Sequence, residues 1–189
     1  MHDTPDPVGR DLINRSIDLL GRRFEPCFAK QFPGRLHSIA KAAFSSSQFA
    51  STTASYPVSP KQIEQQFRRA AFNVIARNQD DHVKNIAFLM NREGEWSLAP
   101  AHDVVYSYNP TGAWTSQHQM SINGKRDNFE LPDLVALANA GGIKKRKAEG
   151  ITSEVSEAVG TWHKHADAAG VFKEDAEKIP KVFRMGLIK

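Results

Sequence analysis

Asn78-Gln79-Asp80-Asp81-His82-Val83-Lys84-Asn85 is the stretch on which the reading turns. An aspartate, four residues and an asparagine is a spacing that suits phosphoryl transfer, because one loop then does two jobs. The aspartate takes the proton of an attacking hydroxyl. The asparagine carbonyl oxygen holds a Mg²⁺ ion against phosphates. A second metal ligand is expected downstream, and Asp103 follows inside Ala101-His102-Asp103-Val104-Val105. The four-residue gap to Asn85 selects Asp80 over Asp81 as the base.

The flanking sequence puts this loop between recognisable elements. Ser59 is a good N-cap, Pro60 suits the first helical position, and Gln62 completes a capping box. Ile63, Phe67, Ala71, Val74 and Ile75 recur at helical spacing, which predicts a helix over 60–77 running into the Asp80 loop. Ile86 to Met90 reads as a buried strand, Asn91-Arg92-Glu93-Gly94 as a turn, and Glu95 to Leu98 as the returning strand. Pro100 ends it just before Asp103. Helix, loop with Asp and Asn, β-hairpin, aspartate is the order of a protein-kinase C-lobe, whose hairpin brings two metal ligands side by side. An irregular loop is expected over 106–130, and helices over 131–140, 152–169 and 173–184, with Gly141-Gly142 stopping the first and Thr152 starting the second. The fold class expected is mainly α with a small β-hairpin.

Two motif groups, Phe72 to Asn85 and Leu98-Ala99-Pro100-Ala101-His102-Asp103, together resemble the signature of the HipA-like kinases, the toxins of bacterial type II toxin–antitoxin operons. The segment Trp114 to Lys125 resembles the family too, and the resemblance covers about 60–185. Arg35-Leu36-His37 is a weaker echo of a hinge region. The resemblance implies a kinase-like C-lobe that uses ATP and Mg²⁺ to phosphorylate a serine or threonine of a translation protein such as an aminoacyl-tRNA synthetase. It also implies a HipB-like DNA-binding antitoxin as partner, with indirect contact to DNA. Carried over by position, Asp80 would be the catalytic base, and Asn85 and Asp103 would bind Mg²⁺. His82 and Lys84 would lie near the nucleotide phosphates, with His102 beside the metal aspartate.

The chain also departs from a complete kinase. Asn78-Gln79 stands where His-Arg usually precedes the base, and Val104-Val105 where Phe-Gly usually follows the metal aspartate. Regulation through a flipping Phe is therefore not expected. Gly9, Gly21 and Gly34 are isolated rather than forming a phosphate-covering loop, and Lys30 and Lys41 lack the strand context of a phosphate-binding lysine. Residues 1–59 read as a leader, with a short amphipathic helix at Leu12–Leu20 and a Ser/Thr/Ala-rich linker at 44–59. The expectation is a 60–189 C-lobe with an absent or shortened N-lobe, weakly active alone or completed by a separate N-lobe subunit. The alternative is a non-catalytic remnant or interaction module that binds an antitoxin or nucleic acid.

Composition is compatible with both. Twenty-five Lys+Arg against 21 Asp+Glu give a formal charge of +4, which permits nucleotide or nucleic-acid binding without demanding it. The densest basic run, Lys144-Lys145-Arg146-Lys147, reads as a solvated interhelical turn, with phosphate-backbone contact as the alternative. Arg68, Arg69 and Arg77 are expected to face solvent, and Trp96, Trp114 and Trp162 to pack. Cys27 is the single cysteine, so no intramolecular disulfide forms and a cytoplasmic location is the simplest expectation. No apolar run approaches the roughly 20 residues that span a bilayer. His82, His102, Asp80 and Asp103 as a transition-metal site is a weaker alternative that fits no known ligand spacing.

Overall fold

The computed structural model describes residues 39–41 and 59–188. The expected Leu12–Leu20 helix, Lys30, Arg35-Leu36-His37 and all but Ser59 of the linker fall outside the described residues.

Strand β1 (Ile39–Lys41) comes first, followed by helix α1 (Pro60–Ile75). Ser59 donates its N–H to Gln62 Oε1 at 3.0 Å, the reciprocal half of a capping box, with Pro60 in the first turn. Phe67, Ala71, Val74 and Ile75 are fully buried along one face. The helix closes two residues earlier than expected. Arg77 takes a left-handed φ of 59°, and the Asn78 N–H returns to the Asn73 carbonyl at 3.0 Å. That is a Schellman-type stop. It turns the chain sharply into the Asp80 loop.

A 3₁₀ turn at Val83–Asn85 leads to β2 (Ala87–Met90) and β3 (Trp96–Leu98). They pair antiparallel, Phe88 opposite Leu98 and Met90 opposite Trp96. The Asn91–Gly94 turn is closed by Asn91 Oδ1, which accepts the Glu95 N–H at 2.8 Å, with Gly94 at φ 82°. The hairpin is part of a three-stranded sheet ordered β1-β2-β3, with Ile39 opposite Leu89 and Lys41 opposite Ala87. The expectation that Lys41 lacks a strand context is thereby corrected. Three residues bounded by irregular sequence carry too little periodicity to announce a strand.

After a long irregular segment come α2 (Leu131–Ala140), α3 (Lys145–Gly160), α4 (Trp162–Ala169) and α5 (Lys173–Lys178). The helix expected over 152–169 is thus two helices, and the first begins at Lys145. Three cations in a first turn oppose the helix dipole, but burial of Ala148 and Ile151 overrides that penalty. Thr152 is not a cap: it is buried mid-helix and donates its hydroxyl to the Ala148 carbonyl at 2.8 Å. The helix expected over 173–184 ends at Lys178 and continues as a 3₁₀ turn, Ile179–Val182. Pro180 supplies no N–H for a longer α-helix.

Helix α1 packs on α3, and α3 also packs on α2 and on the final turn Met185–Ile188. Trp162 is buried, donates its indole N–H to the Ala176 carbonyl at 2.9 Å and meets Phe183 edge-on. Trp96 packs against the core, but Trp114 is 76% exposed, contrary to its expected packing role. Among the described residues, no helix is long and apolar enough to cross a membrane.

Candidate active site

An open cleft lies between α1, the 78–86 loop and the segment after β3. Asp81, His82, Asn85, His102 and Asp103 all line it, with Phe72, Ile86, Val104 and Met120 as its apolar surface. Of the residues singled out from the sequence, Asp80 and Lys84 are not in this lining. Lys84 is solvent-exposed in the 3₁₀ turn, with its carbonyl 3.4 Å from His102 Nε2.

The loop is held at two points. The Asp80 N–H donates to Ser107 Oγ at 2.8 Å, and Ser107 donates onward to Asn78 Oδ1 at 3.2 Å. The Asn85 side-chain amide donates to the Asp80 carbonyl at 3.0 Å. With its nitrogen so engaged, Asn85 Oδ1 has no hydrogen-bond partner among the described residues. The Asp80 carboxylate is 41% exposed and lies 3.8 Å from His82 Nε2.

Asp81 is in a different environment. It is buried and accepts from His118 Nδ1 at 2.7 Å, from the Gln119 N–H at 2.7 Å and from the Met120 N–H at 3.4 Å. A carboxylate this enclosed is a loop anchor, which leaves Asp80 as the solvent-reachable acid of the pair. His118 Nε2 in turn lies 2.9 Å from Arg184 Nη1. Arg184 also donates to the Val74 carbonyl at 2.9 Å and pairs with Asp127. Burial, then the nearby Arg77, lowers the Arg184 pKa, while Asp127 acts against both. Sequence reasoning missed Ser107, His118 and Arg184. His118 lies within a segment singled out for family resemblance, but Ser107 and Arg184 carry no local signal.

Asp103 sits on the cleft rim, exposed, with φ 55°. Left-handed backbone is uncommon for a non-glycine residue, although aspartate tolerates it better than most. Asn85 and Asp103 both line the cleft, and their side chains offer hard oxygen donors, a type that suits Mg²⁺ better than a softer metal. The transition-metal arrangement of His82, His102, Asp80 and Asp103 does not form: among the described residues, no three His, Cys, Asp or Glu side chains converge to hold a metal.

The arginines near the loop do not face solvent as expected. Arg69 donates to the Ala99 carbonyl at 2.8 Å, and Arg68 pairs with Glu154 at 2.7 Å. Arg77 donates to the Val182 carbonyl at 3.0 Å and stacks over Tyr108 at 4.2 Å. Planar guanidinium groups serve packing and carbonyl capping at once. Lys144, Lys145, Arg146 and Lys147 are exposed as expected, although they start α3 rather than fill a turn; Lys147 pairs with Glu64.

No curated protein matches the chain. Among solved structures, it is similar to HipA of Shewanella oneidensis MR-1, described in a complex of a toxin–antitoxin system with HipB and its operator DNA. The TM-score is 0.64 at 16% sequence identity, over 94% of this chain and 54% of that one. The chain therefore spans about half the length of that protein, and at this identity the likeness shows the fold: a kinase-like C-terminal lobe. The family model for the HipA-like C-terminal domain matches residues 27–162, starting well before the expected lobe boundary at 60. The chain belongs to the family of the HipA-like C-terminal domain.

Proposed function

We propose that this chain carries the catalytic lobe of an ATP- and Mg²⁺-dependent serine/threonine protein kinase of a toxin–antitoxin system. One observation carries the reading. The Asp80 loop, held by Ser107, places Asn85 in the lining of the same cleft that Asp103 borders in a left-handed conformation. Asp80 orients the substrate hydroxyl and takes its proton. Asn85 and Asp103 would hold Mg²⁺, whose charge would offset that of the phosphates. Positioning and charge compensation suffice for such a transfer. His82 and His102 flank the phosphates, while Lys84, outside the cleft, reaches them only from its rim. The substrate class is a serine of a translation protein such as an aminoacyl-tRNA synthetase, and the partner a HipB-like antitoxin that links the chain indirectly to operator DNA.

The test is calorimetric titration with Mg-ATP, together with radiolabelled phosphate transfer. Asp103→Asn keeps the side-chain size and the tolerance of left-handed backbone but removes the charge. Its Mg-ATP affinity is expected to fall tenfold or more. Asp80→Ala is expected to retain binding and lose transfer. Wild-type affinity in Asp103→Asn, or retained transfer in Asp80→Ala, refutes the assignment.

A second reading, a non-catalytic module that binds an antitoxin or nucleic acid, is favoured by the four exposed cations at 144–147 and by exposed Trp114. Salt-dependent operator binding by an antitoxin–chain complex that Lys144→Glu/Arg146→Glu weakens, with no Mg-ATP binding, is its signature.

A further inference from the structure

We infer that His118 and Arg184 are positioning residues, a buried relay that sets the Asp80–Asp81 peptide and through it the aim of Asn85. Arg184 has only donors. Its Nη1 lies 2.9 Å from His118 Nε2, so that ring nitrogen must be the bare acceptor. The ring proton is therefore on Nδ1, where it is given to Asp81 Oδ2 at 2.7 Å. With one ring nitrogen facing an acceptor and the other a donor, the neighbours set which nitrogen gives and which receives. The ring is otherwise enclosed: it is 1% exposed and meets Phe129 edge-on at 5.2 Å. Its backbone is clamped too, with the His118 carbonyl accepting from Arg126 Nε at 2.6 Å.

The relay reaches the cleft through one peptide. The carbonyl of Asp80, bonded directly to the Asp81 nitrogen, is the group that accepts the Asn85 amide at 3.0 Å. Holding the Asp81 carboxylate holds that peptide plane. The plane holds the Asn85 amide, and Asn85 lines the cleft. The far end is anchored elsewhere in the fold: Arg184 donates its N–H to the Ile75 carbonyl and its guanidinium to the Val74 carbonyl, each at 2.9 Å, and pairs with Asp127. The relay thus ties the last residues of α1, the loop and the C-terminal segment into one unit. Arg184 lies beyond the 27–162 stretch that the family model matches.

The inference builds on the kinase reading, and its test separates the two. In His118→Asn the amide nitrogen takes the place of Nδ1 and preserves the donor to Asp81. In His118→Gln the amide oxygen takes the place of Nε2 and preserves only the acceptor for Arg184. On the full chain labelled with ¹⁵N, His118→Gln is expected to displace the amide resonances of residues 80–85 and to weaken Mg-ATP binding roughly tenfold or more, as loss of a ligand's supporting partner does. His118→Asn, which keeps the donor to Asp81 and cuts only the link to Arg184, is expected to move both in the same direction by a clearly smaller amount. Loop resonances unmoved in both folded variants, or moved equally in both, overturn the relay. So does a wild-type His118 whose Nε2 carries the proton at neutral pH, a measurement that needs no variant to fold. If the wild-type chain binds no Mg-ATP, the kinase reading fails, while the resonance comparison still decides the relay.

Discussion

Ser107 bridges the Asp80 N–H and Asn78 Oδ1 with one hydroxyl, donating and accepting at once. Removing that oxygen leaves a part-buried N–H and a buried amide oxygen without partners, which costs about 1–3 kcal/mol. Ser107→Ala is therefore expected to lower stability by that amount in urea unfolding and to speed hydrogen exchange at Asp80. Unchanged exchange at Asp80 would show that water replaces the hydroxyl at no cost. Nothing in the sequence nominates Ser107, because its partners lie 27 and 29 residues away. Asp80, Asn85 and Asp103 could be singled out in the sequence because the expected chemistry imposes a spacing, and Asn85 and Asp103 do line one cleft. The left-handed backbone of Asp103 was not legible, since an aspartate tolerates that conformation without a glycine to advertise it.

At the scale of elements, α2 shows how a helix start and a tight turn share one acid. Asp133 is almost fully buried, accepts the Glu130 N–H at 2.8 Å in the first turn, and is joined by Asn123 Nδ2 and Lys125 Nζ, each at 2.9 Å. Asn123 and Gly124, at φ 51° and 77°, make the two-residue turn that delivers those donors. Burial works against ionisation of Asp133, but the hydrogen bonds from Asn123, Lys125 and Glu130 outweigh it and hold the pKa below the usual carboxylate value. A depressed folded pKa stabilises the fold above the unfolded value, about 3.9, and this contribution is lost as pH falls through the folded value. Wild-type stability is therefore expected to drop below about pH 4, and Asp133→Asn to be less stable at pH 7 but with a flatter slope in that acid window. Parallel slopes in urea titrations of the two proteins would refute this. Helices α1 and α2 were legible because Ser59-Pro60 opens an apolar periodicity in the first and Gly141-Gly142 stops the second. The start of α3 was not, because Lys144 to Lys147 argue locally for a turn and only tertiary burial makes them helical. Strand β1 was equally hidden, since its strand character comes from the β2 edge it pairs with.

For the whole molecule, the C-terminal segment closes back on the helix that feeds the candidate site. Trp162 sits where α4, α5 and Phe183 meet, and the next residue but one after Val182 is Arg184, whose N–H and guanidinium hold Ile75 and Val74 at the end of α1. Packing around Trp162 and geometry at the Asp80 loop are thus joined by a few residues of chain. Trp162→Ala removes a large buried side chain and one indole hydrogen bond, a change that costs about 3–5 kcal/mol. Against a typical domain stability of about 5–15 kcal/mol, that is a large fraction, and a folded variant remains measurable. If the described residues unfold as one unit, guanidinium transitions followed by far-UV circular dichroism and by the fluorescence of the remaining Trp96 and Trp114 shift together in the variant. Amide exchange at residues 80–85 then accelerates by the same free energy as exchange in α4. If the C-terminal segment instead forms a separate, weaker unit, exchange accelerates in α4 and α5 while residues 80–85 keep their wild-type protection. That second outcome would mean that Arg184 is held by α1 rather than the reverse, and that the loop keeps its geometry without the packing of α4 and α5 behind it.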